Sequence, residues 1–378
     1  MNVRAISAPL AYSDYLVATI AHAEGVAARL HAVSEQRLAS AAADALREAA
    51  RRSVRLDASP LTEATADRVD ARLAEGLPPT EAVPVPAESG AQPAGSWART
   101  LKLEDLPTQD VAAVEYANLR AVLESGQEFA GEIFVQPLST LVRLHRAITH
   151  GLTPPEVAGQ PRRTEQSVHD GAQGQVLYHT PPPQAVPELL EELSSWLSRK
   201  AARMPTLVVA GMTHHALLSW QPFEGANGRV ARAAARLVLS ARGVDPGGLL
   251  VFERALEADT LGYHKEIAAT QRRADLVPWL ERWCEAVHEA ALDAARALDA
   301  VPRNEPSAEV GVLVEELPPV AEVTLRQVME RAGVEREQAL RDLSHLQWTG
   351  VMRPVPGTKG LRWTKSSSQP ADRTHPVR

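Results

Sequence analysis

Between residues 106 and 295 apolar side chains recur every three or four positions in one segment after another, and that period sets the fold class. The segments Val111–Glu124, Gln136–His150, Ala185–Ala202, Thr206–Trp220, Arg229–Arg242 and Asp275–Leu298 each read as an amphipathic helix. The period of two that marks strands is scarce. A polar stretch from Gly159 to Thr180 ends in Val176-Leu177-Tyr178, the best candidate for a small β-hairpin, and Pro181, Pro182 and Pro183 stop it. Aromatics make up only 4% of the chain, so its cores must be built from Leu, Val and Ala. The expectation is a mainly α protein.

The flanks differ in grammar from this middle block. Residues 13–52 read as one alanine-rich helix, with Leu16, Ile20, Ala23, Ala27 and Leu30 on one face. A turn at Asp57-Ala58-Ser59-Pro60 leads to a second helix over Leu61–Leu73. Residues 76–98 hold five prolines and three glycines, the composition of a linker. Beyond residue 307, Thr324 caps a helix over Leu325–Ala332 and Gly333-Val334 supplies a turn. A second helix covers Glu335–Trp348, Gly350 ends it, and Val351 to Trp363 reads as two short strands around Pro356-Gly357. That order predicts a winged helix-turn-helix. The chain therefore divides into a helical arm (1–75), a linker (76–98), a helical domain (99–300), a winged helix-turn-helix (307–365) and a disordered polar tail (366–378).

Charge and cysteine content narrow the function classes. With 47 acids against 40 basic residues the net charge is −7, which argues against a chain that coats nucleic acid. From Thr324 to Arg378, however, ten basic residues face five acids, so the carboxy-terminal module is locally basic. Its second helix presents Arg336, Arg341 and His345 but also Glu335, Glu337 and Asp342, three acids that oppose a DNA groove. DNA binding and a dimerisation or protein-docking role stay open for this module. Cys284 is the single cysteine, which excludes a disulfide framework and a cysteine-rich zinc site. No run of 18 apolar residues is present, so no membrane span is expected and a cytoplasmic location is the default. Of the basic residues 35 are arginine, the bias of a GC-rich genome, and no function is read from it.

The stretch Gln221-Pro222-Phe223-Glu224-Gly225-Ala226-Asn227-Gly228-Arg229-Val230-Ala231-Arg232 carries the chemistry. A loop bearing Gly and Asn leads straight into a helix, whose first N–H groups are unpaired and lie at the positive end of the dipole. Such a helix start is a ready anion site. Arg229, Arg232 and Arg236 fall at i, i+3 and i+7 on one stripe, and Asn227 has an amide to donate to the same oxygens. Together they suggest a polyphosphate site. A solvated arginine face after an ordinary loop is the plainer alternative.

The segment resembles the signature of Fic (Fido-fold) proteins, H-P-F-x-D/E-G-N-G-R-x-x-R, with Pro222, Phe223, Asn227, Gly228, Arg229 and Arg232 in register. His214 stands where that family commonly has a histidine on the preceding helix. Tyr178-His179-Thr180-Pro181-Pro182-Pro183 is similar to the segment after the family's target-binding hairpin, and Leu276-Val277-Pro278-Trp279-Leu280 to the end of its core. The resemblance spans about residues 106–290. It implies a Fic-fold helical bundle with a β-hairpin flap, and a nucleotidyltransferase that moves AMP from ATP to a hydroxyl of a target protein. In that family the motif histidine is the base, backbone amides at Asn-Gly hold the α-phosphate, an acidic residue binds Mg²⁺ and the second arginine holds the γ-phosphate. By position, Phe223, Asn227, Gly228 and Arg229 would then form the nucleotide site, and Arg232 would clamp the terminal phosphate.

The departures are equally informative. Gln221 occupies the base position, and an amide cannot accept a proton near neutral pH. Gly225 replaces the acidic metal ligand and Ala226 the next glycine, which leaves Glu224, one residue early, as the candidate for Mg²⁺. His214 is expected to pack within its helix and hydrogen-bond to the loop. Ser53-Val54-Arg55-Leu56-Asp57-Ala58 resembles the family's inhibitory element, S/T-x-x-x-E-G/N, with Asp57 one methylene shorter than the usual glutamate. Its reach to Arg232 is the open point, and an ordinary helix end is the alternative. The sequence thus leaves two functions standing: a nucleotide-binding protein with impaired or altered AMP transfer, or a catalytically silent regulator acting through its winged helix.

Overall fold

The computed structural model describes residues 10–80, 107–169, 175–300, 306–318, 321–349, 351–355 and 362–365. Most of the proline-rich linker, Gly350, the Pro356-Gly357 turn and the polar tail lie outside these residues. The described chain is mainly helical, and no described helix is long and apolar enough to cross a membrane.

The single helix expected over 13–52 is in fact two, α1 (Asp14–Leu30) and α2 (Glu35–Leu56). Ser13 caps α1, its hydroxyl accepting the Leu16 N–H at 3.0 Å. The break falls at Ser34, whose extended backbone (φ −61°, ψ 143°) starts α2 and turns the chain. Alanine-rich periodicity runs across such a joint unmarked, because alanine suits either face. Helix α3 (Glu63–Ala74) follows, capped by Thr62.

The middle block builds α4 (Thr108–Glu124), a single turn at Gly126–Ala130, and α5 (Pro137–Ile148). A hairpin follows, of β1 (Ser167–His169) and β2 (Val176–His179), with Val168 opposite Tyr178. Then come α6 (Val186–Arg199), α7 (Thr206–Trp220), α8 (Asn227–Ala241), α9 (Glu253–Ala258), α10 (Thr260–Arg273) and α11 (Val277–Ala297). Periodicity did not announce α9 and α10. In α10 the buried positions are few (Tyr263, Ile267, Ala268, Ala269 and Thr270), on an otherwise polar helix.

Helix α7 is the axis of this domain. Every residue from Leu207 to Trp220 is buried, as expected for a helix wrapped on all sides by others. It packs against α8 and α11, while α1 lies along α11 and α2 against α4 and α9. Two indoles of α11 lock the contact, Trp279 Nε1 donating to the Gly211 carbonyl at 2.9 Å and Trp283 Nε1 to Leu207 at 3.0 Å. Gly211 is the point of closest approach, for a Cβ there would sit 2.6 Å from Trp283 Cδ1.

The carboxy-terminal module has its own apolar core, with Val310, Leu313, Val328, Leu343, Met352 and Trp363 at its centre. It comprises α12 (Ala308–Glu316), β3 (Glu322–Thr324), α13 (Leu325–Ala332), α14 (Arg336–Trp348), β4 (Met352–Pro354) and β5 (Arg362–Lys365). Thr324 and Gln327 form a reciprocal cap on α13, and Gly333 ends it at φ 66°. The strands pair in the order β3-β5-β4, so Pro354 sits on an edge strand, where a missing N–H is tolerated.

Gly211→Ala gains about 1 kcal/mol of helix propensity but forces a methyl into the indole contact, at a cost of about 1–3 kcal/mol. The expected result is a lower melting temperature, read by calorimetry, with helix content unchanged.

Candidate functional site

Helices α7 and α8 are joined by the motif loop, and both its ends carry residues other than glycine in the left-handed region: Gln221 at φ 47° and Ala226 at φ 57°. Each such residue stores about 1 kcal/mol or more, so the loop has to be held. Asn227 is one clamp. Its Oδ1 accepts the Phe223 N–H at 2.9 Å and its Nδ2 donates to the Phe223 carbonyl at 2.8 Å. The Asn227 amide is thus spent on closing the loop, whereas the sequence reading had it donating to a bound anion. Phe223 is fully buried and stacks on His145 of α5 at 4.2 Å between centroids. Nδ1 of His145 accepts the Gly159 N–H at 2.7 Å, which leaves Nε2 to carry the proton and donate to the Gly225 carbonyl at 3.2 Å. Burial, assisted by the Arg229 charge, lowers this imidazole to about 4. His145 is a neutral support under the loop.

The start of α8, where an anion site is expected, is occupied by a carboxylate of the same chain. Asp57, just past the end of α2, directs its carboxylate there: Oδ2 accepts the Arg229 backbone N–H and Nε, both at 3.2 Å, and Oδ1 accepts Arg232 Nη2 at 2.6 Å. The shorter side chain therefore does reach Arg232. The last turn of α2 lies close enough that Ser53 also takes part, its hydroxyl accepting Arg232 Nε and its carbonyl accepting Nη2, both at 2.6 Å. Gly228 makes room for this approach, since a Cβ there would lie 2.1 Å from Asp57 Oδ1. Burial pushes the Asp57 acid up, but the Arg232 and Arg229 charges outweigh it and its pKa falls below the ordinary carboxylate value. Arg229 also pairs with Glu115 of α4 at 3.0 Å.

The arginine stripe does not act as a unit. Arg236 is buried between Asp245, at 2.8 Å, and Glu253, also at 2.8 Å, away from Asp57. Its two carboxylates close a core ion triad that fixes the α8–α9 connection. His214 is likewise a core residue, with Nε2 3.0 Å from the Tyr263 hydroxyl of α10 and its ring stacked near Trp279 and Trp283. Its hydrogen-bond partner is thus α10 and not the loop, and burial holds its pKa well below the usual value. Glu224 turns toward the flap, where its carboxylate accepts the Arg163 N–H at 2.7 Å and the Thr164 hydroxyl at 2.5 Å. Among the described residues no cluster of three acidic, His or Cys side chains is placed to hold a metal ion. With Glu224 committed to the flap, these residues do not fit a Mg²⁺ site.

Gln221 ends α7. Its side-chain amide donates to the Leu218 carbonyl at 2.8 Å, and its own carbonyl accepts Arg162 Nε at 2.7 Å. Glu115, His145 and Arg162 were invisible to sequence reasoning, because each lies 59 to 114 positions from its partner in the motif, outside any local pattern.

Residues 136–239 match the model of the Fic/DOC family, so that segment of the chain is a Fic domain. The fold of the chain is similar to that of a Fic family protein from Desulfovibrio desulfuricans, with a TM-score of 0.58 at 19% identity over 96% of this chain and 98% of that one. It is also similar to a Fic domain containing signaling protein from Bacteroides thetaiotaomicron, with a TM-score of 0.53 at 16% identity over 76% of this chain and 99% of that one.

A carboxylate whose pKa is depressed on folding adds stability that is present above its unfolded value, about 3.9, and lost as pH falls through the lower folded value. Asp57→Asn should therefore cost about 2 kcal/mol at pH 7. Denaturant titrations from pH 7 to pH 3 should show the gap from the parent narrowing only below about pH 4.

Proposed function

We propose that this Fic-domain protein binds a nucleotide at the start of α8, that Asp57 and Ser53 close the site, and that AMP transfer is impaired because residue 221 is glutamine. The observation that carries this reading is the Asp57 carboxylate on the Arg229 N–H and on Arg232. A site that binds its own chain's carboxylate with a helix N-terminus and two guanidinium groups has the chemistry of a phosphate site. In this reading Gly228, Arg229 and Arg232 hold the phosphates, Phe223 and Asn227 shape the loop, and ATP is the substrate. No step is assigned to Mg²⁺. A histidine base contributes about 10² to 10⁴ in rate, so the parent is a slow or silent transferase toward a protein hydroxyl.

Calorimetry with ATP, with and without Mg²⁺, tests the site. Asp57→Ala should bind at least about tenfold more tightly than the parent, a difference of about 1.4 kcal/mol. Absence of ATP binding to both proteins would sink the nucleotide reading. Labelled ATP should leave the parent and any target unmodified, while Gln221→His combined with Asp57→Ala gains transfer. Transfer by the parent itself would show a base other than residue 221.

A second reading, a regulator acting through the carboxy-terminal module, is favoured by one observation. Asp342, counted as an acid on the candidate recognition helix, is buried and accepts from Ser307 at 2.5 Å and Gln338 at 2.7 Å. The exposed face of α14 thus keeps Arg336 and Arg341 with one acid fewer to oppose a nucleic-acid backbone. Mobility shifts with duplex DNA at low and moderate salt separate DNA binding from dimerisation or a protein partner.

A further inference from the structure

Arg162 is only 2% exposed and has no carboxylate partner among the described ion pairs, an arrangement that needs another source of compensation. That source is a ring of oxygens drawn from both sides of the candidate site. Nε donates to the Gln221 carbonyl at 2.7 Å, and Nη1 to the Thr164 carbonyl, also at 2.7 Å. Three acceptors converge on Nη2: the Thr180 hydroxyl at 2.9 Å, the Trp220 carbonyl at 3.3 Å and the Pro181 carbonyl. The Arg162 backbone adds a further tie, its N–H donating to Pro222 at 2.9 Å. Glu165 and Glu224 favour its charge from nearby, while burial opposes it.

The acceptors fall into two groups. Thr164, Thr180 and Pro181 bracket the flap hairpin, and Trp220, Gln221 and Pro222 form the end of α7 and the start of the motif loop. Glu224 on Thr164 and Gln166 on the Phe223 and Glu224 carbonyls also tie the flap to the loop, but the planar guanidinium fork bonds to both groups from a single side chain. One of its bonds lands on the carbonyl of the residue held at φ 47°, the strained position where the family's base would stand. We propose that Arg162 is a positioning residue that fixes the flap and the left-handed backbone of residue 221 as one rigid piece, so that a target segment on the flap and the side chain at 221 keep a set separation.

This inference concerns the frame of the site whatever ligand it takes, and its test reads no nucleotide, so it stands or falls apart from the nucleotide proposal. Arg162→Lys keeps the charge but not the fork, and Arg162→Met loses both. Amide hydrogen exchange should quicken by about tenfold or more across Ser167–His169 and Val176–His179 in both variants, with α6 and α11 unchanged. The HN–Hα coupling and Cα shift of residue 221, which report its left-handed φ, should move toward those of an ordinary helix end. Parent-like flap exchange together with a parent-like residue 221 signature in folded Arg162→Met would overturn the proposal. So would exchange that quickens equally in α6 and α11, because that marks a general loss of stability. If Arg162→Met does not fold, Arg162→Lys alone carries the same two readouts.

Discussion

A guanidinium group cut off from water needs its charge compensated, and at Arg232, 1% exposed at its side chain, the chain provides a carboxylate of its own. Asp57 and Ser53 can meet Arg232 only if the last turn of α2 lies across the start of α8. Much of the amino-terminal arm is arranged to hold it there. Arg51 on α2 pairs with Asp70 of α3 at 2.6 Å and with Asp67 at 2.8 Å, and Arg120 of α4 joins the same Asp70 at 2.6 Å. On the other flank, Arg52 and Arg55 share Glu257 of α9 at 2.5 and 2.8 Å. Exposed pairs of this kind contribute little singly, about 0.2–1 kcal/mol, but a network across three helices fixes orientation. The buried side of α2 supplies the larger share through apolar packing of Leu46, Ala49, Ala50 and Val54.

Behind that contact the domain is built to resist movement. Two indoles bond to carbonyls of the central helix, a histidine stacks against both of them, and Arg236 closes a buried triad between α8 and α9. All of these groups are buried in the core. The motif loop can carry two left-handed residues other than glycine because Arg162 and Asn227 bond its backbone at Gln221 and Phe223.

Sequence reading recovered what local physics encodes. Helix α7 was bounded to the residue, because Pro205 and the Gln221-Pro222 step punctuate an unbroken apolar run. The loop leading into the start of α8 was legible because glycine and asparagine each answer a backbone requirement at a fixed offset. Reading failed where the answer lay across the chain. The geometry of Asp57 depends on how closely α2 approaches Gly228, which one methylene of side-chain length does not decide. His145 and Arg162 gain their roles only once α5 and the flap close over the loop, and Arg236 was drawn from the stripe by two carboxylates downstream in the chain. The joint at Ser34 escaped notice because alanine packs equally well on either side of a bend.

The contact of Asp57 with α8 has a further consequence for how the protein would be tuned. A plug that is part of the same chain competes with free ligand at a fixed effective concentration, on the order of millimolar or more for a short tether. Apparent affinity then equals intrinsic affinity scaled by the fraction of molecules in which α2 is lifted. An open fraction of about one in a thousand would turn a micromolar site into a millimolar one. Any change that loosens α2, including one at Asp70 or Glu257 far from the loop, would register as tighter ligand binding with no new contact to the ligand. The arm would then act as the dial of the site, set by helix packing instead of by the chemistry of the pocket.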